Sequence, residues 1–284
     1  GAWLKNANFT GANLQNVHFG VSPFITFDEK IHCGAYTSDS TRIALGIGRE
    51  LIILNRSSNG AFLDDSQRFG GHTKDVMDCS ISADGKKFLS AGNDKIVRMG
   101  DIATMRHVIK VRGNTDVSAK SCQLSPDGNF FVSAWGQVVY LTRILDSGTY
   151  NLTRSLARFS SDVFCCRISP NGQSILIACE NGEISEWNAQ SCRYLRLFKP
   201  RIPFINCEYS SDGKKVIACS EQGSFAIWDA IRGNLLRNPS IKIQKSLVFD
   251  SKINNSLMTL HDKYAYLLTR KGNILLCDTV THQN

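Results

Sequence analysis

CQLSPDGNFFVSA, Cys122 to Ala134, decides the fold because the chain writes this stretch four times. CSISADGKKFLSA begins at Cys79, CRISPNGQSILIA at Cys166 and CEYSSDGKKVIAC at Cys207. Their glycines, Gly85, Gly128, Gly172 and Gly213, are separated by 43, 44 and 41 residues. A degenerate version, GAYTSDSTRIALG, puts Ser40 a further 45 residues upstream of Gly85. A period just above 40 points to repeated four-stranded units.

Each unit reads locally. In SPDG (Ser125–Gly128) and SPNG (Ser169–Gly172), Ser opens a tight turn, Pro pre-sets φ, Asp or Asn bonds its own backbone and Gly follows. Before the turn lies a short strand, and after it a nearly unbroken apolar run (FLSA, FFVSA, ILIA, VIAC) that predicts a strand buried on both faces. A second turn (GND, WGQ, ENG, EQG), a third strand and a variable fourth strand (HVIKV, RYLRLF) complete the unit. One four-stranded sheet cannot bury two apolar faces, whereas sheets arranged radially cover one another. The cysteine falls on the innermost strand, where a small apolar residue suits crowding near the axis.

Trp187-Asn188 and Trp228-Asp229 end third strands, and Gly71-His72 precedes Gly85 by thirteen residues. With Ser90 on a second strand and Asp94 in a second turn, these residues resemble the WD-repeat family. The resemblance implies an all-β propeller of four-stranded blades, a His72–Asp94–Ser90 hydrogen-bonded network, and Trp187, Trp228 and Asp229 as structural signature positions. The network's Trp position is Gly100, a departure from the family pattern. About six blades are expected over residues 21–284, or seven if one unit goes unrecognised. The tail permits two registers, TLHDKYAYLL on AGNDKIVRM or LLTRKGNILLCDT on ACSEQGSFAIWDA. The second is preferred because Pro23–Asp28 could then close the ring and remove an exposed edge. Residues 1–20 divide into fives centred on Leu4, Phe9, Leu14 and Phe19 and resemble the pentapeptide-repeat family. They are expected to form one β-helix coil at the end of a longer array, as in a multidomain switch protein.

Of the 284 residues, 42% are hydrophobic and 20% charged, which suits a globular protein with a large core, and no apolar run is long enough to span a bilayer. Ten cysteines include no C-x-x-C pair, so reduced core thiols and a cytoplasmic home are expected, with no metal. The charge of +8 is concentrated in residues 193–284, with fourteen basic and seven acidic groups. Anionic partners, either nucleic acid or lipid, are therefore the alternative to a protein ligand. No nucleophile motif, P-loop or dinucleotide loop occurs, so neither an enzyme nor a cofactor is expected. His72 and Asp94 read as a turn lock rather than a base and its orienter. In WD-repeat propellers partners commonly dock where the first strands begin. By alignment that face carries His32, Met77, Lys120, Phe164 and Ile205, with Trp135 at a nearby turn tip as the expected anchor for a protein or peptide.

Overall fold

Each Ser-x-Asp/Asn-Gly motif folds into the same locked turn. Ser82 Oγ donates to Asp84 Oδ1 at 2.6 Å, Ser125 Oγ to Asp127 Oδ1 at 2.6 Å and Ser169 Oγ to Asn171 Oδ1 at 2.7 Å. The Ser oxygen also accepts the amide five residues on, and the Asp or Asn oxygen accepts the amide two residues on. The four glycines take φ of +67° to +71°, the left-handed conformation that a side chain disfavours. The hydrogen bond from Ser82 is the main cause holding the Asp84 carboxyl below its ordinary range.

The computed structural model describes residues 31–37, 41–55, 66–113, 116–145, 150–198, 204, 206–220, 225–237, 264–268 and 274–278. All regular elements among them are strands. The first sheet comprises β1 (Ile31–Tyr36), β2 (Arg42–Ile47), β3 (Glu50–Asn55) and β4 (Gln67–Phe69). The second comprises β5 (Val76–Ile81), β6 (Lys87–Gly92), β7 (Ile96–Asp101) and β8 (Arg106–Arg112). The third holds β9 (Ala119–Leu124), β10 (Phe130–Trp135), β11 (Val138–Ile144) and β12 (Tyr150–Arg158). The fourth holds β13 (Val163–Ile168), β14 (Ser174–Cys179), β15 (Ile184–Asn188) and β16 (Tyr194–Phe198). The fifth holds β17 (Asn206–Tyr209), β18 (Lys215–Cys219), β19 (Phe225–Asp229) and β20 (Leu235–Arg237). Each is a four-stranded antiparallel meander in chain order, as expected of WD-type blades.

The tail contributes β21 (Tyr264–Leu268) paired with β22 (Ile274–Asp278). Tyr264 faces Asp278 as Lys215 faces Asp229 in β18–β19, and neither pair contains a register shift. Every pairing of a third with a fourth strand in the second to fifth sheets does shift. In the first sheet β3 pairs with β4 without a shift, so the tail pair fits either of the two alignments. Residues 1–20, the clasp Pro23–Asp28 and Ile205 lie outside the described residues.

The apolar core lies between sheets. Consecutive sheets share one buried cluster each: first with second, second with third, third with fourth, and fourth with fifth. Strand β10 buries all six residues, with Phe131 directed at the second sheet and Val132 and Ala134 at the fourth. Fully burying one such side chain is worth about 1.5–3 kcal/mol, so a sheet covered on one face only would forfeit half of this. The first strands β1, β5, β9, β13 and β17 touch in succession, which places them innermost. The outer strands β8 and β16 are mostly exposed.

Candidate interaction face and central channel

At the start of four inner strands, β1, β5, β9 and β13, the ladder skips one residue. The skipped positions are His32 between Ile31 and Cys33, Met77 between Val76 and Asp78, and Phe164 between Val163 and Cys165. In β9, Trp135 pairs with Ala119 and Ala134 with Ser121, which leaves Lys120 out. A β-bulge re-aims the side chain of its extra residue. All four bulged side chains are half-buried. His32 Nε2 stands 3.6 Å from Asp75 Oδ2, and Lys120 Nζ bonds Asp162 Oδ2 at 2.9 Å. The same ammonium sits 5.0 Å from the centre of the Phe164 ring, a cation–π contact across two sheets. The structure thus brings His32, Met77, Lys120 and Phe164 to equivalent positions, one per sheet.

Trp135 corrects the expectation of an exposed anchor. It is 1% exposed, in the cluster between the second and third sheets, and its Nε1 donates to Ser133 Oγ at 2.9 Å. The room comes from Gly113, where a Cβ would stand 2.4 Å from the indole ring. With the indole N–H satisfied inside the third sheet, burying the ring strands no polar group. The apparent turn-tip residue is a seam filler.

Trp187 and Trp228 are packing residues too. Trp228 is buried edge-on between Phe198 and Phe204, with centroids 6.0 and 5.8 Å away. Trp187 lies between Phe159 and Tyr194 and donates to Ser185 Oγ at 2.9 Å. Asp229 Oδ1 accepts the amides of Ile231 and Arg232 at 2.8 and 2.7 Å, fixing the turn into β20. Those amides, Arg232 foremost, hold its carboxyl below the usual range.

The His72 imidazole joins Asp94 Oδ1 through Nδ1 and Ser90 Oγ through Nε2, both at 2.9 Å. Asp94 also accepts the amides of Thr73 and Ile96. Burial lowers the His72 pKa, although Asp94 opposes the shift. The neutral ring then donates from Nδ1 to Asp94 and accepts the Ser90 hydroxyl at Nε2. A Ser–His–Asp arrangement invites a catalytic reading, but Ser90 is 1% exposed and sealed beneath the network. Its hydroxyl cannot meet a substrate, so the network acts as a lock.

The inner strands hold a charged cluster that the sequence reading missed. Asp78 Oδ2 accepts Ser121 Oγ at 2.8 Å and the Cys122 amide at 3.0 Å. Arg167 Nη1 donates to Asp78 Oδ2, Ser121 Oγ and the Cys166 carbonyl at 2.9–3.0 Å, and its Nε meets Glu208 Oε2 at 3.2 Å. One guanidinium therefore ties β5, β9, β13 and β17 together. It reaches a strand two sheets away, so these four inner strands converge on one side chain. Burial pushes the Glu208 carboxyl up to about 8, and Arg167 restrains the shift. The only sequence signal is a polar residue flanking each repeat cysteine, in MDCS, KSCQ, CCRI and NCEY.

Among the described residues no group of three or more His, Cys, Asp or Glu side chains is placed to hold a metal. No helix among them is long and apolar enough to cross a membrane. The family model described as WD domain, G-beta repeat matches residues 64–101 and 151–188. Those two segments are similar to WD repeats. Each match runs from the fourth strand of one sheet through the third strand of the next, β4–β7 and β12–β15.

Among curated proteins, the chain is similar to the mouse serine-threonine kinase receptor-associated protein, with 24% identity over 199 residues. That alignment covers 70% of this chain and 54% of the relative. The U3 small nucleolar RNA-associated protein 15 homolog of Xenopus tropicalis is 22% identical over 244 residues, 72% of this chain and 46% of the relative. The SIR4-interacting protein SIF2 of Saccharomyces cerevisiae is 26% identical over 93 residues, 33% of this chain and 17% of the relative. The chain thus spans about half the length of the relatives it matches most fully.

Proposed function

We propose that the chain is a non-catalytic interaction propeller of about six blades that captures a protein or peptide on the face carrying the bulged residues. The observation behind this reading is the recurrence of one re-aimed side chain in each of the first four sheets: His32, Met77, Lys120 and Phe164. Repeating an irregularity at the same place in four sheets disrupts four ladders, and bulges concentrate where side chains must be presented. The mixture of thioether, aromatic ring, imidazole and paired ammonium suits a peptide surface better than a small-molecule pocket. Two of the relatives are named for association with other proteins, a receptor kinase in one case and SIR4 in the other. In this reading the chain is the sensing part of a larger cytoplasmic switch protein.

The test is an affinity capture with the purified chain and with Met77→Ala/Phe164→Ala. The double variant should lose the wild-type partner while its thermal unfolding stays close to wild type. Undiminished capture would reject this face. Capture that collapses with added salt would instead indicate an anionic partner on the basic residues 193–284.

A further inference from the structure

Two of the seams between sheets hold a pair of cysteines in equivalent places. Cys33 and Cys165 are each the first paired residue after the bulge of an inner strand, in β1 and β13. Cys79, opposite Ser90 in β5, and Cys207, opposite Ala218 in β17, each open the repeated thirteen-residue stretch on the next inner strand. Cys33 faces Cys79 in the first seam, and Cys165 faces Cys207 in the fourth. Within each pair the side chains are hydrogen-bonded, and all four cysteines are free thiols. In its protonated form the Cys165 thiol also donates to Asn206 Oδ1 at 2.9 Å and to the Cys207 carbonyl at 3.5 Å. The equivalent positions in β5 and β9 carry Asp78 and Ser121, so the other inner strands hold no such pair.

The two pairs differ in the charge beside them. Burial, the hydrogen bond with Cys79 and the nearby Asp78 carboxylate all hold the Cys33 proton on. Burial also opposes a Cys165 thiolate, but the hydrogen bond from Cys207 and the Arg167 guanidinium outweigh it and bring the thiol down to about 7. Arg167 lies two residues along the same strand, and Asp78, Glu208 and the neighbouring Cys166 are the other titratable groups acting on Cys165 or its arginine. The thiolate is the nucleophile in cysteine chemistry, and a neighbouring thiol can resolve its oxidised form.

We propose that Cys165 and Cys207 form a peroxide-responsive thiol pair that closes into a disulfide between β13 and β17, while Cys33 and Cys79 stay reduced. In the first step the Cys165 thiolate attacks one oxygen of a hydroperoxide. The S–O bond forms, the O–O bond breaks and the other oxygen leaves as hydroxide or alkoxide, two electrons passing from sulfur to peroxide. In the second step Cys207 Sγ attacks the sulfenic sulfur, the S–O bond breaks, and the hydroxyl leaves as water with the Cys207 proton. The product is a covalent strap across the fourth seam, close to Phe164, and it does not depend on which partner the face binds. Cys165 is 2% exposed, so a reagent near the size of water, such as hydrogen peroxide, is required.

The reduced chain, freed of reductant, is treated with hydrogen peroxide, quenched by alkylation and mapped by peptide mass spectrometry with fragment-ion assignment. The expected product has lost two hydrogens and joins the Cys165 and Cys207 peptides, with Cys33 and Cys79 recovered alkylated. Cys165 should react at least about tenfold faster than Cys33, following its thiolate fraction. Cys207→Ser should stop at a sulfenic acid on Cys165 that dimedone captures once the peroxide is removed and the chain is unfolded in denaturant, and Cys165→Ser should give neither product. Equal oxidation of the two pairs, a link between Cys165 and Cys166, or full recovery of alkylated Cys165 would each overturn the proposal. Mapping of the wild-type chain decides the matter even if either serine variant fails to fold.

Discussion

The second and fifth sheets fill the same hole from opposite strands. Where a second strand meets a third, the fifth sheet pairs Val216 with Trp228, and the second sheet pairs Phe88 with Gly100. The fourth sheet follows the fifth, with Ile175 opposite Trp187, and the third follows the second, with Phe131 opposite Thr142. Gly100, which looks like a lost signature residue, is therefore half of an exchange. The Phe88 ring occupies the space a side chain at Gly100 would need, and Phe69 and His107 pack on it. The volume of the seam is what must be kept, and either strand can supply it. The second sheet adds the polar lock His72–Asp94–Ser90.

The largest effect should come from emptying the aromatic site. Trp228→Ala leaves a cavity between Phe198 and Phe204 and should cost about 3–5 kcal/mol in denaturant unfolding. If the seam tolerated the loss with under a third of that cost, the volume argument would fail. In the second sheet, Asp94→Ala strands the buried imidazole and two amides and should cost about 2–3 kcal/mol, measured the same way.

The exchange itself is tested by a cycle. Gly100→Ala forces a methyl to within 2.3 Å of Phe88 and should destabilise by about 1–3 kcal/mol. Combining it with Phe88→Val should give a coupling of about 1 kcal/mol in the compensating direction, and strict additivity would refute a shared volume. The smallest effect is on pH dependence. The His72 pKa is lowered in the folded chain, so the unfolded chain binds more protons as pH falls below the ordinary imidazole value. Stability present above that value should fall on acidification, and His72→Gln should flatten this part of the profile in unfolding midpoints taken from pH 7.5 to 5.5.

The sheets are legible in the sequence because their determinants are local. Ser82, Asp84 and Gly85 close a turn among themselves, and the run after them announces a strand with no wet face. What escapes the sequence depends on residues from different sheets. Trp135 beside Gly136 reads as a tip until Gly113 is placed across the seam, and only then does the ring have somewhere to go. Arg167 looks like a surface charge in CCRI, yet its partners are 89 residues upstream and 41 downstream. The bulges are invisible for another reason: a one-residue skip leaves composition and spacing untouched and shows only in the pairing.

The offset between matched segment and sheet has a bearing on how such a chain can be shortened. Each matched segment begins on the rim of one sheet and finishes inside the next, so neighbours overlap like roof tiles. Excising residues 151–188 would strip β12 from the third sheet and leave β16 without the strand it pairs with. Cuts placed between β12 and β13, or between β16 and β17, spare whole sheets and are where dissection into fragments should start.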